Sequence, residues 1–101
     1  MDGELLRFLG RGREERVRIG EKPCALRLLS ARETLALRRE IAQMDGADEE
    51  ERALHANAAL LRRCLRDGET ALFDSAEAVE NALSVGEIGE LVRRYAMLDG
   101  A

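Results

Sequence analysis

The sequence predicts an α+β fold, mostly α, in which one N-terminal β-hairpin packs on about four helices. Three observations predict it. A two-residue alternation between Val17 and Leu28 gives way to helical spacing at Ser30-Ala-Arg-Glu33, a capping box. The apolar residues are mainly Leu and Ala, with two Phe, one Tyr and no Trp, a mixture that suits helix-on-helix packing. Three further cap signals, at Asp48, Asp74 and Ser84, each precede an amphipathic run.

A length of 101 residues is that of one domain, 1–101. Residues 1–13 read as a short helix and a Gly/Arg hinge, 14–29 as the hairpin and 30–101 as the helical part. In the first stretch Leu5, Phe8 and Leu9 make one apolar side too short to be stable alone. In the hairpin, Val17 and Ile19 share a face opposite Arg16 and Arg18, and Cys24, Leu26 and Leu28 share a face after the turn. Gly20 and Pro23 bracket Glu21 and Lys22 as turn residues. Two strands are too few to stand alone, so a helix must cover their apolar side.

The helix begun at Ser30 should run to about Met44, with Leu37, Ile41 and Met44 on one stripe. Leu35 and Ala42 fall nearly opposite and need a cover, which either the hairpin or a partner supplies. The next helix, from Asp48 to about Arg66, carries Leu54, Ala58, Leu61 and Leu65 at spacings of four, three and four. Leu72 and Phe73 then plug the core. Asp74 with Glu77 caps a short helix bearing Val79 and Leu83, and Ser84 with Glu87 caps a last helix bearing Ile88, Leu91, Val92, Tyr95 and Leu98.

Charge is uneven. Residues 1–46 hold ten Lys or Arg against eight Asp or Glu, whereas residues 47–101 hold six against twelve. An acidic back half disfavours a phosphate backbone, and the basic cluster Arg11, Arg13, Arg16 and Arg18 is broken by Glu14 and Glu15, so no nucleic-acid partner is expected. No leader is recognisable, no run approaches membrane-spanning length, and a cytoplasmic protein is expected. Cys24 and Cys64 read as buried thiols rather than a disulfide.

Catalytic chemistry is missing. Two cysteines and one histidine lack zinc-site spacing, so neither metal nor cofactor is expected. His55 and Cys64 lie nine residues apart on one helix and project from nearly opposite sides. Carboxylates gather at helix starts, where they cap, and Gly10-Arg-Gly12 opens no phosphate loop. The sequence therefore directs attention to surfaces that hold a partner, not to an enzyme.

The strand pair VRIGEKPCALRLLSARE leading to a helix, the element LLRRCLRDGETALFDSAEAVENAL and the closing YAMLDGA together resemble the small tail assembly chaperones of long-tailed bacteriophages and prophages. The resemblance spans nearly the whole chain. It implies a protein that binds the tape measure protein and helps tail tube protein polymerise around it, with room for a homo-oligomer and for a longer frameshifted form. Helix-in-groove binding supplies a mechanism, and the candidate partner-binding residues are Leu5, Phe8, Leu9 and Leu35. A second reading is an acidic antitoxin or anti-repressor module that uses Glu77, Glu80, Glu87 and Glu90 to sequester a basic protein.

Overall fold

A computed structural model describes residues 14–100. Its elements run β1 (Glu14–Ile19), β2 (Lys22–Arg27), α1 (Ala31–Ala42), α2 (Glu49–Cys64), β3 (Leu65–Asp67), β4 (Thr70–Ala71), α3 (Ala76–Ala82) and α4 (Val85–Gly100). The predicted class holds: an antiparallel sheet that includes the N-terminal hairpin, with four helices among the described residues.

The hairpin turn is tighter than expected. Ile19 pairs with Lys22, so the loop is Gly20-Glu21 and Lys22 already belongs to β2. Gly20 sits at φ +62°, and among the described residues only glycines have positive φ, the pattern of a turn with glycine first. Since Ile19 and Lys22 close the turn, Arg18 and Pro23 form a pair without ladder bonds, and proline loses no hydrogen bond to β1.

Among the described residues the sheet has four strands, in the order β1-β2-β3-β4, where the sequence suggested two. Leu26 pairs with Leu65 and Ala25 with Arg66, so β3 adds to the inner edge of the first hairpin. A second tight turn, Gly68-Glu69 with Gly68 at φ +64°, then returns the chain as β4. The expected helix to about Arg66 accordingly stops at Cys64, and the part beyond Ser30 is not helical throughout. Pairing with β2 takes Leu65 and Arg66 out of the helix. Leu65 remains fully buried, now from a strand.

Helix α2 is the centre of the packing and lies against α1, α3, α4, β2, β3 and β4. Its Ala58, Ala59, Leu61 and Cys64 are fully buried, and the two alanines let neighbouring helices approach closely. Val17, Cys24 and Leu26 from the sheet, Leu37 from α1, Val79 and Leu83 from the α3 region and Ile88 and Leu91 from α4 complete the core. Leu72 and Phe73 pack against it while partly exposed. Removing a side chain such as Leu61 costs about 2–5 kcal/mol, the range for a buried leucine cut to alanine.

Caps set the helix ends. Ser30 Oγ accepts from the Glu33 N–H at 3.1 Å and Glu33 Oε1 accepts from the Ser30 N–H at 3.0 Å. The same reciprocal pair joins Ser84 and Glu87. Asp48 accepts from the Glu51 N–H at 2.8 Å. The third box differs from expectation, because the cap of α3 is Ser75, accepting from the Ala78 N–H, rather than Asp74. Helix α1 ends at Ala42, one turn's fraction short of Met44.

Candidate partner-binding groove

The N-terminal parts of α2 and α4 line an open groove of about 450 Å³. Ala53, Leu54 and Asn57 line one wall, and Val85, Ile88 and Gly89 line the other. Val85 is 74% exposed, on a helix whose Ile88 and Leu91 are buried and whose Met97, near the other end, is 70% exposed. It stands there because the Ser84 cap fixes where α4 begins, which places Val85 in the first turn beside Ile88. Gly89 adds no side chain, and a Cβ there would meet nothing within 4 Å, so the groove floor stays open.

Asp48, Glu50 and Glu51 form the rim on the α2 side. They occupy the cap and first turn of α2, where the helix dipole favours negative charge. An apolar floor with an acidic rim matches an amphipathic helix whose apolar stripe is bordered by Lys or Arg.

One rim residue is tied to a second helix. His55 Nε2 lies 3.4 Å from Glu51 Oε1 and Nδ1 lies 2.9 Å from Glu80 Oε1 on α3. Two carboxylates, one on each ring nitrogen, favour the imidazolium, and the Glu80 bond contributes most to raising the His55 pKa above its ordinary value. His55 thus clips α2 to α3 beneath the rim.

The residues chosen from sequence fall elsewhere. Leu35 is 50% exposed on α1, outside the groove. Leu5, Phe8 and Leu9 lie outside the described residues. Of the acidic set, Glu80 is held by His55, Glu87 by the Ser84 cap and Glu90 by Arg93, which leaves Glu77 as the member without a side-chain partner among the described residues. Val85 and Leu54 were the groove residues that sequence reasoning missed. Leu54 read as core stripe and is half-buried, and the available signal for Val85 was an apolar residue at the first helical position, one turn before Ile88.

No family model, curated protein or solved structure matches the chain. Among the described residues no cluster of three or more His, Cys, Asp or Glu could hold a metal ion, and no helix is long and apolar enough to cross a membrane. Cys24 and Cys64 are free and buried. Burial pushes the Cys64 thiol up to about 12, far from a nucleophilic thiolate at neutral pH.

Proposed function

We propose that this chain is a non-catalytic helix-binding protein of the tail-assembly-chaperone kind. In this reading the groove between α2 and α4 covers apolar stripes of a tape measure protein, in the bacterial cytoplasm, until tail tube protein polymerises around it. The observation that supports it is the groove itself: an exposed Val85 beside Leu54 and Ile88, under a rim of three carboxylates. Apolar floor area provides affinity and the rim orients a helix carrying flanking cations. Three of the four glutamates of the acidic-module alternative are engaged within the fold, as are Asp48 and Glu51 of the rim, so what favours the groove is its apolar floor.

Co-expression with a tape measure protein tests the proposal. The soluble fraction of that long chain should rise with the wild type and not with Val85→Asp, and the complex should persist in high salt because apolar contact carries it. A tape measure protein that stays insoluble beside the wild type, or is rescued equally by Val85→Asp, removes the proposal.

A further inference from the structure

The outer face of the sheet carries chemistry that the helical groove does not use. Strand pairing puts Arg16, Ala25, Arg66 and Ala71 in one row across the four strands, and sets Arg18 beside Pro23 in a neighbouring pair. Side chains of one row share a face, so arginines flank a floor of small residues. Arg16 and Arg18 are exposed and enter no ion pair among the described residues. The Nε of Arg66 is buried without a hydrogen-bond partner there.

Beside this face runs β1, the edge strand of the sheet among the described residues. Among the described residues β1 pairs only with β2, and α4 reaches it through Arg94 and Glu15, 3.5 Å apart. A groove of about 830 Å³ follows the outer side of β1 and a smaller one of about 260 Å³ lies on its inner side between Ile19 and Leu91. Arg18 and Arg94 line both, so open space flanks the edge above and below.

We infer that β1 accepts an extended acidic segment of a partner protein as a fifth strand. Carboxylates on alternate residues of that segment pair with Arg16 and Arg18, while the residues between them are apolar and turn toward the cleft at Ile19 and Leu91. The unpaired N–H and C=O groups of an edge strand supply the backbone bonds, and cross-strand neighbours about 5 Å apart bring each carboxylate within reach of a guanidinium fork. This site is separate from the α2–α4 groove and does not rest on its function. Charge chooses the occupant. Glu14 and Glu69 line the outer groove among the arginines, and none of its described lining residues is aromatic, which disfavours nucleic acid. A second copy's β1 matches less well, since its outer face offers one carboxylate, Glu14, against two arginines.

Fluorescence anisotropy with the full chain tests the inference, using a labelled synthetic peptide of alternating Glu and Val. Three probes stand beside it: the Lys and Val counterpart, the Glu and Val peptide N-methylated on alternate residues, and a short DNA duplex. The Glu and Val peptide should bind at least about tenfold more tightly than each of the others, about 1.4 kcal/mol. The double variant Arg16→Glu, Arg18→Glu should reverse the preference between the Glu and Lys peptides. Failure of the Glu and Val peptide to bind, equal binding of the N-methylated peptide, or equal binding of the duplex overturns the inference, and each comparison is made on the wild-type chain without reliance on the variant's folding.

Discussion

Tyr95 and Leu29 are bound across 66 positions of sequence: the phenolic oxygen on α4 accepts the Leu29 backbone N–H at 3.2 Å. Leu29 itself is 7% exposed, in the joint between β2 and α1, where its amide has no strand or helix partner. The hydroxyl therefore satisfies a donor that the fold would otherwise strand. Tyr95→Phe keeps the ring and removes the acceptor. It should lower stability by about 1–2 kcal/mol, the cost of an unsatisfied buried amide, read as a lower urea midpoint at unchanged slope.

Cys64 makes a prediction at alkaline pH. Its folded thiol is pushed up to about 12 by burial, above the ordinary 9.0 that applies once the chain unfolds. A raised folded value means that its contribution to stability is whole below about pH 9 and is lost as pH climbs toward 12. Between those limits the loss approaches about 1.4 kcal/mol per pH unit for this group. Urea midpoints of the wild type should fall more steeply over that range than those of Cys64→Ala, which has nothing to ionise there. Tyr95, also raised by burial, contributes a loss of the same sign in both proteins.

Periodic elements were legible in the sequence because one residue face decides them. The Ser30 and Ser84 boxes, the stripe of α2 and the first hairpin all follow from local spacing and were read from it. The second hairpin was not. Asp67-Gly68 ends a helical pattern as plausibly as it precedes a turn, and a two-residue strand such as Thr70–Ala71 carries no period to detect. What decides is tertiary: β2 offers Ala25 and Leu26 as an edge, and pairing there outweighs one more turn of α2. Likewise the candidate groove depends on how α2 and α4 lie against each other, which no helical stripe encodes.

His55 gives a pH dependence of its own. Held by Glu80 and Glu51, it keeps its proton above the ordinary imidazole range. Its tie between α2 and α3 is present below the ordinary value and is lost as pH rises through the raised one. As the chain's only histidine, it gives a single ring-proton titration by NMR. That midpoint should drop in Glu80→Gln, whose amide cannot attract the imidazolium as a carboxylate does.

The two glycine turns are matched in geometry, and one substitution tests both. Gly20 and Gly68 have φ of +62° and +64° with open space around the Cβ position, so strain comes from the backbone and not from a clash. Alanine at either site should destabilise by about 1 kcal/mol or more. Asparagine tolerates that region better and should recover part of the loss, which thermal melts of the four variants would show.

Stability and partner capture should separate at Gly89. It lies inside α4, is exposed, and a side chain there meets nothing. Gly89→Gln should raise helix stability by roughly 0.5–1 kcal/mol, because glycine is costly in a helix interior. The same side chain would project into the space between Leu54 and Val85 that a partner helix needs. Val85→Asp, at an exposed first-turn position, should leave the melting temperature equal or slightly higher through its favourable charge near the helix start. Both variants should therefore melt no earlier than the wild type while losing the partner. If either binds a tape measure protein as well as the wild type does, the groove is not where that helix lies.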